Sequence, residues 1–306
     1  MLTSISSKGI FNNGEGARRY FPLFKQAGIG AVDYGFYDIL PSRDIYEKKT
    51  DNAVFDLPHD EMMAYFKEIR DAAEENGIVF GQTHAPYPTQ RVEIEDMSEY
   101  NEYLFGVVKK CIEVTAFLGC KYIVIHPVFG RYPLTVSPKE EFERNVNFYS
   151  SLIPTLKQFR VVACLENMWV QNNGKIYAGA CGDFDEVNRY LEVLNSIAGE
   201  ELFGYCFDSG HATICSKDLG QAVRKLDKNI KVLHLHEVDG IHDNHTIPFV
   251  GVADWDRLMK ALKEIGYSGT LNFEVNLAGT FPREVLPQAL SFMGAIGNSF
   301  IKKYFE

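Results

Sequence analysis

Six side chains able to bind a metal ion or move a proton stand at the ends of short apolar runs: His84, His126, Glu166, Asp208, His236 and Glu274. One histidine in such a place packs as a structural residue more often than it ligates. Three histidines and three acids in succession need another reason, because carboxylates buried side by side are very unfavourable unless cations or protons offset them. A divalent cation is the simplest offset. Four of the six sit in the most strand-like contexts: Glu166 in Cys164-Leu-Glu-Asn167, Asp208 in Tyr205-Cys-Phe-Asp208, His236 in Leu233-His-Leu-His236 and Glu274 in Leu271-Asn-Phe-Glu274. Three oxygen donors and one nitrogen suit Mn²⁺, Mg²⁺ or Co²⁺ better than the thiolate-rich donor set of structural zinc. His234 shares a strand face with His236 by period-two geometry, so either can be the ligand; the other reading of His234 is a packing or substrate-facing residue one layer deeper. His211, Asp243 and His245 follow close behind, and with His84 and His126 they can hold further ions or bind substrate hydroxyls.

These residues need elements that bring them to one place. β-branched or aromatic runs at 2–6, 31–34, 79–84, 122–126, 161–166, 204–208, 232–236 and 270–275 read as strands. Helical periodicity fills the intervals, at 14–27, 60–76, 98–118, 138–159, 183–198, 219–226, 255–265 and 284–303. In the second of these, Met62, Phe66, Ile69 and Ala73 form one face, with Gly77 placed to end it. Strict strand–helix alternation requires parallel strands, because parallel neighbours need a crossover. Eight such units fit a single (β/α)8 TIM barrel, one domain over residues 1–306, whose C-terminal strand ends converge on the face where active sites are built. No G-x-G-x-x-G follows the first strand, so nothing marks the dinucleotide crevice of an open sheet.

The chain has 306 residues, 46% hydrophobic and 24% charged, the proportions of an ordinary globular protein. Its net charge of -10, from 31 Lys+Arg against 41 Asp+Glu, gives phosphate neutralisation little to build on and makes nucleic acid a second choice of partner. No run approaches the ~18 apolar residues of a membrane helix, and the N-terminus lacks a charged segment leading into a long apolar one. The six cysteines show no C-x-x-C spacing and are expected to be reduced and buried, in a cytoplasmic protein. A barrel exterior has room for an interface between copies, and no exposed motif marks one.

The ordered motifs resemble those of the xylose-isomerase-like TIM-barrel superfamily, which includes sugar isomerases and epimerases and the endonuclease IV family. The similarity runs over residues 80–275 and is carried by His84-Ala-Pro-Tyr87, Ile125-His-Pro127, Leu165-Glu-Asn167, Asp208-Ser-Gly-His211, His234-Leu-His-Glu-Val-Asp-Gly240, Asp243-Asn-His245 and Gly266-Tyr-Ser-Gly-Thr-Leu-Asn-Phe-Glu274. The resemblance implies a shared metal on Glu166, Asp208, His236 and Glu274, favouring His236 over His234. Manganese is the first choice, with zinc, cobalt or magnesium as alternatives. It also implies isomerisation or epimerisation of a sugar or sugar phosphate through a metal-stabilised enediolate, with Glu166 and Glu274 as the acid/base pair. The competing implication uses His84, His126, Glu166, Asp208, His211, His236, Asp243, His245 and Glu274 as a zinc cluster cleaving phosphodiesters at abasic DNA. A sugar-directed lyase is a third. Phe249, in Pro248-Phe-Val-Gly251, stands where relatives often have glycine and argues against a phosphate cradle there. Tyr87, Phe129, Trp169 and Tyr177 are candidate pocket aromatics, with Tyr87, Trp169 and His234 assigned to substrate, and residues 167–181 are expected to form a loop over the site.

Overall fold

In a computed structural model, which describes residues 1–92, 96–128 and 137–306, each apolar run becomes a strand pairing in parallel with the next. The strands are β1 (Thr3–Ser6), β2 (Ala31–Gly35), β3 (Val79–His84), β4 (Tyr122–Val124) and β5 (Val162–Glu166). After an antiparallel hairpin of β6 (Trp169–Asn172) and β7 (Lys175–Ala178) come β8 (Phe203–Asp208), β9 (Ile230–His234) and β10 (Leu271–Phe273). The sheet runs β10-β1-β2-β3-β4-β5-β8-β9, and a parallel bridge from Leu235 to Phe273 closes it into a barrel.

The crossovers are α1 (Gly14–Gln26), α2 (Ser42–Tyr46), α3 (His59–Asn76), α4 (Ser98–Phe117), α5 (Pro138–Phe159), α6 (Phe184–Ala198), α7 (Ser209–Ile214), α8 (Leu219–Leu226), α9 (Trp255–Glu264), α10 (Leu277–Thr280) and α11 (Leu286–Phe300). Local chemistry sets many of their ends. Asn13, Asp183, Asp218 and Asp254 each accept a first-turn N–H, and Ser137 with Glu140 forms a reciprocal capping box. Gly77 closes α3 in the left-handed region at φ 68°. The outer core between strands and helices is aromatic, with Tyr34 edge-on to Phe36, Phe66 and Phe80.

Inside the barrel, period-two geometry stacks side chains in layers. Val162 and Cys164 share a face with Glu166, Cys206 with Asp208, and Val232 with His234; these apolar residues cluster with Val124 into a small plug. The opposite wall is polar. Ser4 donates to Asn272, and Asn272 and Gln82 both donate to the Asp33 carboxylate, all of them buried. This half-apolar, half-polar floor carries the strand ends.

Three expectations change. Strand nine runs Ile230–His234 instead of 232–236, because its register is set by pairing with β8, where Asp208 faces His234; Leu235 then turns to β10. The segment 167–181, expected as a loop, contains the β6–β7 hairpin, turning at Asn173 and Gly174 with φ of 50° and 75°, the positive values a tight hairpin turn needs. Short helices α2, α7 and α10 also lie in stretches where none was expected. Among the described residues, no helix is long and apolar enough to cross a membrane.

All six cysteines are unpaired; five are buried and Cys215 is partly exposed. Burial pushes the Cys215 thiol up to about 11, so few molecules carry the reactive thiolate at neutral pH. Ellman's reagent on the native protein should label Cys215 alone, and slowly, with all six reacting after unfolding. Rapid native labelling of a second thiol would contradict the packing described.

Candidate functional site

The strand ends bring six of the chain's eight histidines to one place: His84, His126, His211, His234, His236 and His245. Buried among them are the carboxylates of Glu166, Asp208 and Glu274, with the partly buried Asp243 at the rim. The side chains form three groups, of which the first two share Glu166 and His234.

In the first, one ligand atom each from Glu166, Asp208, His234 and Glu274 lies within 4.8 Å of all the others. His234 Nδ1 is 3.2 Å from Glu166 Oε1, 3.3 Å from Glu274 Oε2 and 3.9 Å from Asp208 Oδ2. The second joins His84 and His234 through Glu166, with His84 Nε2 3.5 Å and His126 Nε2 3.1 Å from Glu166 Oε2. The third is His211, His236, Asp243 and His245. Asp243 Oδ2 is 3.2 Å from His211 Nε2 and 3.3 Å from His245 Nε2.

Of the two histidines of this strand, His234, at the end of β9, lies among Glu166, Asp208 and Glu274, while His236, two residues on, falls into the third group. His236 still reaches Asp208, its Nε2 3.1 Å from the carboxylate. β9 ends at His234, paired with Asp208 of β8, and His236 lies past that end.

Backbone carbonyls orient three of the rings. His84 Nδ1 donates to Ala85 O (2.7 Å), His211 Nδ1 to Asn167 O (2.7 Å) and His245 Nδ1 to Glu274 O (2.9 Å). A carbonyl can only accept, so each Nδ1 carries the hydrogen and each Nε2 turns a lone pair toward the carboxylates when the ring is neutral, the ligating tautomer. Asn167 ties the end of β5 to that of β8, exchanging hydrogen bonds with the Asp208 backbone at 2.8 Å each way. Glu237 fixes the loop that carries Asp243 and His245: its buried carboxylate accepts from the backbone N–H groups of Val238, Phe249 and Ala253 and from Trp255 Nε1.

Burial pushes the Glu166 carboxyl up, but the charges of His234 and His126 outweigh it and hold the group well below the usual carboxylate range. Glu274 and Asp243 are likewise raised by burial and depressed further by histidines, His234 and His245 for Glu274, His211 and His245 for Asp243. Burial, helped by the nearby His84 and His211, outweighs the pull of Glu166 and holds the His126 imidazole below its ordinary value. The site thus favours ionised carboxylates in a poorly solvated place, where each costs several kcal/mol unless matched by positive charge. Among the described residues, Glu166 Oε2, His234 Nδ1, His236 Nδ1 and Asp243 Oδ1 are buried atoms without a hydrogen bond of acceptable geometry. Such orphaned donor atoms, converging from several elements, are what a divalent cation satisfies, and the donor set fits one.

A cavity of about 290 Å³ opens over these groups, lined by Lys8, Tyr46, Tyr87, His126, Glu166, Met168, Trp169, His211, Asp243, His245 and Glu274. Tyr87 stacks on His126 with ring centroids 4.7 Å apart, and Trp169 Nε1 donates to Asp243 (3.2 Å). Tyr177, on the outer hairpin strand, is exposed and away from the cavity lining; Phe129 lies outside the described residues. Lys8, Tyr46 and Met168 were not singled out from sequence. The signal for Lys8 and Met168 is their place two residues past the C-terminal ends of β1 and β5, where a barrel collects functional groups; Tyr46 carries no comparable signal.

A family model described as xylose isomerase-like TIM barrel matches residues 22–296. The uncharacterized protein y4fM of Sinorhizobium fredii is 27% identical over 171 residues, 55% of this chain and 51% of the relative, so the match spans about half of that relative's length. A probable endonuclease 4 of Mycoplasmoides gallisepticum is 26% identical over 246 residues, 80% of this chain and 73% of the relative. Two solved structures superpose over 100% of both chains at a TM-score of 0.70: an IolI protein with a bound zinc atom, at 18% identity, and D-psicose 3-epimerase of Clostridium cellulolyticum H10 with D-tagatose, at 16%. At these identities the likeness to the two structures is one of fold alone.

Gly210 leaves room for the His236 ring: a Cβ there would sit 1.9 Å from His236 Cε1. Alanine would favour the short helix α7 by about 1 kcal/mol, but forcing the ring aside costs roughly 1–3 kcal/mol and unsettles two carboxylate neighbours as well. Gly210→Ala should therefore lower the midpoint of urea unfolding; a raised midpoint would show that the His236 ring is not held where described.

Proposed function

Because this chain belongs to the xylose isomerase-like TIM-barrel family, we propose that it is a divalent-metal-dependent isomerase or epimerase of a small polyhydroxy carbonyl compound, a sugar or sugar derivative. The observation that carries this reading is the pair of buried glutamates, Glu166 and Glu274, which meet around His234 and both line the cavity. Glu166, Asp208, His234 and Glu274 would hold the ion, and an oxygen-rich set of this kind favours manganese first, then cobalt, magnesium or zinc. A divalent ion bound there supplies Lewis acidity toward a carbonyl oxygen and the hydroxyl beside it.

The rest falls to the chain. One glutamate takes the proton from the carbon next to the carbonyl and the other delivers a proton to the opposite face, an exchange that needs two carboxylates on either side of a small bound molecule. Tyr87 and Trp169 offer aromatic faces to its C–H surface. His126 and His211 present ring nitrogens to its hydroxyls. The cavity of about 290 Å³ accommodates a molecule of monosaccharide size, and an epimerase among the fold neighbours supports the reading.

A second reading, metal-dependent phosphodiester cleavage at abasic DNA, is favoured by a specific observation. Two further donor groups adjoin the first, more than a single-ion proton transfer requires, and curated relatives include probable endonuclease 4 proteins. Several ions so close together would suit stabilisation of both attacking and leaving oxygens.

A panel of ketopentoses and ketohexoses, incubated with the manganese-loaded protein in D2O, separates the readings. The proposal expects epimerised or isomerised product with deuterium at the rearranged carbon, and a loss of about 10²–10⁴ in kcat for Glu166→Gln and for Glu274→Gln. Full turnover by either variant removes the two-carboxylate mechanism. No sugar turnover together with nicking of an abasic duplex moves the second reading to first place.

The β6–β7 hairpin carries Trp169 to the cavity, while its tip is largely exposed, with 173–175 open to solvent. Deleting the tip should raise KM far more than it lowers stability, with Tm falling by less than about 3 °C. An unchanged KM would detach the hairpin from substrate binding.

A further inference from the structure

We propose that the molecule bound in this cavity carries an anionic oxygen group, a carboxylate or a phosphate, and that Lys8 selects it. The inference rests on the cavity being the substrate site and holds under either reading of its chemistry.

Among the described residues, Lys8 is the one Lys or Arg lining the cavity. Its backbone is fixed: Lys8 N–H donates to Ser6 Oγ (3.2 Å) and Gly9 N–H to the Asp38 carboxylate (2.8 Å), while the Arg283 guanidinium donates to the carbonyls of Gly9 and Ile10. Gly9 takes the positive φ, 64°, that this tight turn requires. The ammonium lies 5.6 Å from the Tyr37 ring centroid and beside the Tyr87 hydroxyl. Among the described residues, no carboxylate comes within ion-pair distance of it; Glu274, Asp243 and Asp38 act on it only from farther away. Burial works against the charge, but those acids and Tyr87 outweigh it and raise the group above its ordinary value, so the side chain stays cationic.

The charge balance then points to the occupant. A half-buried ammonium faces the cavity with three donors, of which the Tyr87 hydroxyl can take one, and no carboxylate in contact among the described residues. A neutral hydroxyl would satisfy a donor but not the charge; a carboxylate or phosphate does both, in a charge-assisted hydrogen bond.

The test is calorimetric titration of the manganese-loaded protein with D-fructose, D-fructose 6-phosphate, D-fructuronate and inorganic phosphate, in the wild type, Lys8→Met and Lys8→Arg. The wild type should bind at least one anionic ketose about tenfold or more tighter than D-fructose, and which one identifies the anion. Lys8→Met should abolish that preference and Lys8→Arg should restore it. Inorganic phosphate needs no sugar frame, so it separates this inference from the isomerase reading: about tenfold weaker binding in Lys8→Met is expected even if none of the sugars binds. The proposal is overturned if neither anionic ketose is preferred, if the preference survives Lys8→Met, or if inorganic phosphate binds the wild type and Lys8→Met equally.

Discussion

Everything in this molecule is arranged around one buried carboxylate. Glu166 Oε1 lies 3.2 Å from His234 and 3.4 Å from His211, while Oε2 lies 3.1 Å from His126 and 3.5 Å from His84. Those four imidazoles come from four different strand ends, so they converge only if the barrel closes in the observed register. A lone ionised carboxylate in this position would cost several kcal/mol. The fold tolerates it because histidines, backbone carbonyls and polar floor residues are all in place, and because the set has the composition of a cation site. The plug of Val162, Cys164, Cys206 and Val232 beneath it is small and apolar, which keeps the carboxylates at the top of the barrel.

Much of this was legible in the sequence. Strand–helix alternation gave the barrel, and polar residues closing apolar runs gave the carboxylates and most of the histidines. The choice between His234 and His236 was not legible, for a definite reason. A shift of two residues leaves every side chain on the same strand face, so periodicity is blind to it, and long-range pairing with β8 decides. The β6–β7 hairpin had its signal in Asn173-Gly174, a pair suited to the left-handed turn, which reading all of 167–181 as one loop obscured. Asp33, Gln82 and Asn272 stand inside strands as isolated polar residues. Only the closed ring shows that they face one another as half of the barrel floor.

The fold does not choose the chemistry; barrels of this kind host many reactions. What narrows the choice here is the combination of two buried glutamates that meet around His234, a cavity of about 290 Å³ and a lysine, Lys8, in its lining. The two further donor groups, one sharing Glu166 and His234 with the first quartet and one built on His211, His236, Asp243 and His245, keep phosphoester chemistry within reach of the same scaffold. The number of ions held is therefore the quantity on which the whole account turns.

That number is measured by elemental analysis of protein purified without chelator or affinity-tag metal, compared with the same protein carrying His234→Gln. The account predicts at least one divalent ion per chain, manganese first among the candidates, and its loss in the variant. Two or three zinc ions per chain would keep the centre and favour phosphoester cleavage. No ion in the wild type, with none taken up when manganese, cobalt or zinc is added, would contradict the claim that these buried carboxylates form a metal site.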